Sequence, residues 1–240
     1  MPARLRSHLA LALVLALAAG VCGCFNPFRP LVSGKTSLVK APPSPTSAKE
    51  LVKLFKWCWE NRDISRYKEI FTDDYRFAFS IGDSAGNNYS GNPWTREDEI
   101  TSATNLFVGG SASEPAASTI SLIFDGNLTP HDDFRPGKNP TWHQQIQISN
   151  LTLTISKSDG SAVRVTGGAL FYMVRGDSAV IPPELIGRGF KPDAGRWYIE
   201  RWQDQTTAGG GAAVAPAPQA RIGAPLKLTW GMVKLSWLAP

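Results

Sequence analysis

The chain is short of cysteine, short of histidine and free of any concentrated positive charge, and each shortage removes a class of function. Its 240 residues hold three cysteines and three histidines, with no zinc-type spacing and no disulfide framework. Lys and Arg outnumber Asp and Glu by 25 to 20, but no Lys/Arg cluster occurs, which argues against a nucleic-acid partner. There is no serine on a nucleophile elbow, no phosphate-binding glycine loop and no metal triad. Gly167-Gly168 has no helix after it and reads as a bend. No catalytic constellation stands out, and neither a metal nor another cofactor is implied.

What is present begins with an export signal. Arg4 and Arg6 precede an apolar stretch from Leu9 to Val21, with no acid before them. The stretch is too short, and too soon followed by polar, Pro-rich chain, for a membrane span. It ends in Val21-Cys22-Gly23-Cys24, which resembles the lipobox of bacterial lipoproteins: a branched apolar residue, a small residue before the cut, then cysteine. That resemblance implies a signal peptide over 1–23, lipid attachment (palmitate) at Cys24, and a place in the cell envelope with the membrane reached through that lipid. The competing reading is an ordinary signal peptide cut nearby, leaving Cys24 free. Phe25, rather than Asp, follows the lipid site, which by the same resemblance favours an outer membrane where the host has one. Loss of Arg4 and Arg6 with the signal lowers the formal charge from +5 to +3. With Cys24 lipidated, Cys58 has no partner, and between Trp57 and Trp59 it reads as a buried, inert thiol.

Residues 24–46 carry Pro27, Pro30, Pro42, Pro43 and Pro45 and no apolar periodicity, as expected of a tether. A domain then spans 47–206. Ser47 and Glu50 have capping-box spacing, and Leu51, Leu54, Phe55 and Cys58 recur at helical spacing. Asp63 can cap a second helix whose buried face is Ile64, Tyr67, Ile70 and Phe71, giving a helical hairpin. Tyr75, Phe77 and Phe79 alternate as a half-buried strand. Thr95 and Asp98 cap a third helix, with Ile100, Leu106 and Phe107 on its buried side and Glu97 and Glu99 suited to its positive end. Further strands follow from Ile120 onward, ending in Trp197 to Trp202.

A long hairpin lies on either side of Asp159-Gly160. Ile146 and Ile148 are even and Leu151, Leu153 and Ile155 odd, while Val163 and Val165 are odd and Leu170, Tyr172 and Val174 even. A parity slip flips side chains to the wrong face unless a bulge absorbs it. Asn150 and Gly168 are about equally far from the turn, so both strands are expected to bend at one level. The fold class is therefore α+β: a curved antiparallel sheet, closed on one side by an N-terminal helical hairpin and a third helix.

The segments Leu51–Trp57, Asn61–Tyr67, Phe71–Phe77 and Arg196–Asp204 carry a resemblance to the nuclear transport factor 2-like superfamily, which includes ketosteroid isomerase and SnoaL-type cyclases. It covers about Ser47 to Gln205. It implies that the curved sheet is cone-like, with a pocket between sheet and helices where the enzymes of the group place a carboxylate base and a Tyr or acid donor. It implies no single function, since the fold hosts many.

Candidates for such a pocket are His143, Tyr172, Tyr198 and Trp202, each also explicable as ordinary strand polarity or core. Asp73 and Asp74 fit a turn better than catalysis. A Gly/Ala/Pro linker spans 207–225. The apolar segment 226–240 follows, with Trp230, Trp237, Lys227 and Lys234, as a short helix or as a strand as far as Met232. It is expected either to pack back on its own domain or to meet a protein partner or membrane through 226–238. Two functions stay open: a non-catalytic, lipid-anchored domain that binds an unknown ligand or partner, or a tethered isomerase or cyclase using a pocket acid or His as base.

Overall fold

A computed structural model describes residues 41–83, 86, 89, 91–177, 181, 183–208 and 226–238. The chain divides at Ala41, and everything below concerns the unit from Pro42. The signal peptide, Cys24 and most of both the tether and the 207–225 linker lie outside the described residues.

Helix α1 (Ala48–Asn61) starts where Ser47 Oγ accepts the Glu50 amide. It ends at Arg62, which turns left-handed at φ 52° and returns its N–H to the Cys58 and Trp59 carbonyls. Its apolar stripe, Leu51, Leu54, Phe55 and Cys58, is buried. Burial pushes the Cys58 thiol up to about 12, which suits an inert packing residue. Asp63 caps α2 (Ile64–Tyr67) by accepting the Arg66 amide at 2.9 Å. This second helix is one turn, shorter than its expected face. Ile70 and Phe71 leave it because the chain there already pairs with the last long strand, where the Ile199 amide donates to the Ile70 carbonyl.

The strands are β1 (Phe71–Ala78), β2 (Trp94–Thr95), β3 (Ala117–Phe124), β4 (His131–Asp132), β5 (His143–Lys157), β6 (Ala162–Arg175), β7 (Trp197–Thr206) and β8 (Leu226–Lys227). Six form a curved path in the order β2-β1-β7-β6-β5-β3, with β4 added on β5 and β8 on β6. Pairing is antiparallel except for β1 with β7 and β8 with β6. Helix α3 (Arg96–Thr104), with the capping box at Thr95 and Asp98, runs into a π-helical turn, Asn105–Gly109. A one-turn helix α4 (Pro183–Gly187) and the final helix α5 (Trp230–Leu238) complete the unit. The architecture is α+β, with the helices on one side of the curved sheet.

The hairpin bends as expected, but by two different devices. On β5 the register slips between Ile148 and Leu151, so a bulge keeps Ile146, Ile148, Leu151, Leu153 and Ile155 all buried. On β6 there is no slip. Val163, Val165, Ala169, Phe171 and Met173 hold one parity inward, while Leu170 and Tyr172 face out and Val174 is buried on that outer side. Because 169–174 are apolar on both faces, alternation could not identify the inner one. The β6 bend sits at Gly167, where φ is +136° and a Cβ would lie 2.6 Å from Thr206 Cα and 2.8 Å from the Gln205 carbonyl oxygen.

The outer strand β3 does not present bare backbone. Lys56 and Arg62 of the α1 end donate to the Leu122 and Ala117 carbonyls, and Glu60 accepts the Leu122 amide, so side chains take positions that another strand would need.

Gly167→Ala is expected to lower stability by about 2–3 kcal/mol, through positive-φ strain and backbone contact with β7. Urea titration measures it; an unchanged midpoint would show that β6 and β7 can separate at the bend without cost.

Candidate functional site

The space between sheet and helices is filled by aromatic side chains. Trp202 of β7 meets Phe55 at 5.2 Å, Phe77 at 5.0 Å, Phe171 at 5.2 Å and Trp230 at 4.5 Å between ring centroids. Trp230 also meets Trp59 at 5.0 Å, edge to face. Offset and perpendicular contacts of this kind are the favoured aromatic geometries.

Trp230 belongs to α5, and α5 is seated in the mouth of the cone. Trp230, Gly231, Val233, Lys234 and Trp237 are buried. Both ends of the helix are received by distant side chains, which satisfies groups that a helix leaves open. At the start, Thr206 Oγ1 accepts the Trp230 amide (2.8 Å) and Asp204 Oδ2 the Gly231 amide (2.9 Å). Thr229 accepts the Met232 amide and donates to Asp83. At the far end, Ser102, Ser111 and Asn105 donate to the carbonyls of Lys234, Ser236 and Trp237. Asn105 comes from the π-helical turn, a local widening often found where a helix must aim one residue elsewhere. Gly231 is required by contact: a Cβ there would stand 2.4 Å from Phe79 Cδ1 and 2.8 Å from Asp83 Oδ2.

Lys234 carries a charge into this apolar space. Its ammonium bonds both carboxylate oxygens of Glu99 from α3, with the two side chains 2% and 1% exposed. Glu99 also accepts from Tyr67 (2.6 Å), Tyr75 (3.2 Å) and the Trp94 indole (3.0 Å). Its lone pairs are thus spoken for. The ammonium lies 4.1 Å from the Trp202 ring centre and 4.6 Å from that of Phe77, in cation–π contact. Burial pulls Lys234 below the ordinary ammonium range, with Glu99 acting against that pull. Burial, then the Glu99 charge, hold the Tyr67 and Tyr75 hydroxyls well above the ordinary phenol range. Asp204 is raised by burial, opposed by the Thr206 and Gly231 donors.

The four pocket candidates separate. Trp202 is in the cone interior. His143 sits at the start of β5, its Nδ1 turned to Asn139 beside solvent. Tyr172 faces out, with the Arg135 guanidinium 4.0 Å over its ring. Tyr198 packs with Val174, Ile181 and Leu185 in a separate small cluster. Its hydroxyl is buried without a partner among the described residues and raised by burial. Glu99, assigned to the helix dipole from sequence, points inward, while Ile100 is only half-buried. An acid-rich first turn at 97–99 gives no sign of which acid turns in. Lys234 does carry a signal: it is the lone charge in the otherwise apolar helix Trp230–Leu238. Asp73 and Asp74 are exposed on β1. Among the described residues no group of His, Cys, Asp and Glu could hold a metal ion, and no helix is long and apolar enough to cross a membrane.

Lys234→Met should cost about 3–5 kcal/mol, because it strands a buried carboxylate; Lys234→Met with Glu99→Leu should recover most of that. A single-variant loss under about 1 kcal/mol in urea would show that the pair is not a buried ion pair. The lowered Lys234 value sets the sign with pH. Below 10.5 and above its folded value the unfolded chain holds a proton that the folded chain lacks, so this group's contribution rises with pH there and is lost as pH falls through the folded value. In Lys234→Met that slope should disappear.

No known protein family matches the chain, and no curated protein matches it. Solved structures do. A nuclear transport factor 2 (NTF2-like) superfamily protein from Salmonella enterica is 14% identical over 75% of this chain and 99% of its own, with a TM-score of 0.43. A conserved protein from Planctomyces limnophilus is 12% identical over 65% and 91%, with a TM-score of 0.41. A hexachlorocyclohexane dehydrochlorinase (LinA, type 2) is 12% identical over 69% and 88%, with a TM-score of 0.40.

Proposed function

We propose that this chain is a lipid-anchored cell-envelope protein whose nuclear transport factor 2-like domain binds a ligand or partner without catalysing a reaction. The observation that carries the non-catalytic part is the closed cone. Its deeply buried carboxylate–cation pair, Glu99 with Lys234, is saturated by its own neighbours, and α5 occupies the volume that a substrate would need. A general base needs a free lone pair within reach of a substrate proton, and Glu99 offers none while α5 is seated. The anchor rests on Val21-Cys22-Gly23-Cys24 and the apolar stretch before it.

A second function has one observation in its favour. Glu99, Tyr67 and Tyr75 are a carboxylate with two phenol donors in an apolar interior, the set an isomerase or cyclase of this superfamily would use. It becomes reachable only if α5 withdraws.

Two experiments test these readings, the first the anchor they share and the second the closed cone. In cells of a lipoprotein-processing bacterium, labelled palmitate should enter the wild-type chain, and Cys24→Ala should abolish both labelling and sedimentation with membranes; labelling that survives the substitution places the lipid elsewhere. A hydrophobic dye such as anilinonaphthalene sulfonate should find no cavity in the wild type but bind Gly231→Val, whose side chain cannot fit against Phe79. Saturable wild-type binding unaffected by Gly231→Val would mean an open cone and favour the enzyme.

A further inference from the structure

Outside the cone, the first turn of α3 and the outward side of β1 frame a cleft of about 650 Å³ lined by Lys68, Arg76, Arg96, Arg188, Asp73 and Glu97. Among the described residues four cations face two carboxylates there, a formal excess of two positive charges. The cations come from four places in the chain: the turn after α2, β1, α3 and the turn after α4. No linear cluster announces them.

Two guanidinium groups are fixed before any ligand arrives. Arg76 Nη1 donates to the Tyr75 carbonyl at 2.8 Å, and Arg96 Nη2 to the Lys68 carbonyl at 2.7 Å. Arg76 keeps further N–H donors on its planar fork. Among the described residues Lys68, Arg76 and Arg188 make no ion pair, although Asp73 and Glu97 line the same space. Across the sheet, Arg76 is the register neighbour of Arg201 on β7, and like charges on adjacent strands repel unless an anion lies near. Ile100 supplies an apolar wall.

We infer that this cleft binds a compact dianion of the phosphate class, a phosphate monoester or diphosphate carried on a larger body. Forked guanidinium donors match phosphate oxygens in pairs, the charge excess matches a dianion, and the volume is that of a small-molecule site rather than a lone ion. The site shares no residue with the cone and goes beyond the proposed function, so it stands or falls separately. Two sources could present that group: a soluble phosphorylated compound or a lipid headgroup.

The full chain is titrated with inorganic pyrophosphate by calorimetry, and separately with phosphatidylcholine vesicles with and without phosphatidic acid. Arg76→Gln with Arg188→Gln should weaken binding about tenfold or more, and Asp73→Asn should strengthen it, a gain that misfolding cannot mimic. Both effects should shrink as salt rises. Variant-sensitive binding of pyrophosphate identifies a soluble ligand. Variant-sensitive binding of phosphatidic acid vesicles alone identifies a headgroup. Binding in neither arm, or binding that ignores all three substitutions, overturns the inference.

Discussion

A charge pair buried where water cannot reach sets the terms for this fold. Glu99 and Lys234 lie 135 residues apart in sequence, and each is tolerable inside only if the other is present. That single requirement fixes α3 with Glu99 inward, α5 with Lys234 inward, and the Tyr67, Tyr75 and Trp94 donors around them. It also explains why both ends of α5 are tied by side chains from β7, α3 and the π-helical turn. A helix merely resting on an apolar surface would not need six such bonds from distant residues. The pair orients α5 as well as holding it, since a rotation about the helix axis would withdraw the ammonium from the carboxylate it bonds.

The sheet serves that arrangement. Its bend at Gly167 and the β5 bulge at 148–151 curl the strands around the space that Trp202, Phe171 and Trp230 fill. The outward side of the same sheet is a different chemical surface. There Tyr172 lies under Arg135, which is held by Asp133 and Glu200, and the charged cleft opens at Arg76. One fold thus closes its inner face around aromatic rings and one ion pair, and carries charge on its outer face beside the small Val174 cluster.

Much of the scaffold was legible because it depends on local patterns. Ser47, Asp63 and Thr95 announce helix starts, and the β5 parity change announces a bulge, because caps and registers are decided within a few residues. The site was not. Glu99 sits among acids that all suit a helix start, and only its partner, far along the chain, distinguishes it. Tyr172 and Tyr198 were ambiguous because β6 and β7 are apolar on both faces near Val174, where a second small cluster covers the outer side. Lys234 was visible as an oddity but had no meaning without Glu99. The phosphate-class cleft left no trace in sequence, since its cations are scattered from 68 to 188.

The indoles of Trp59 and Trp202 each stand perpendicular to that of Trp230, at centroid separations of 5.0 and 4.5 Å. Transition dipoles that close interact strongly, and their chiral arrangement exists only while α5 contributes the middle ring. The protein therefore carries its own optical gauge of closure: exciton coupling of Trp230 to the indoles of Trp59 and Trp202 belongs to the seated state and would be lost on unseating, even where strands and helices stay intact.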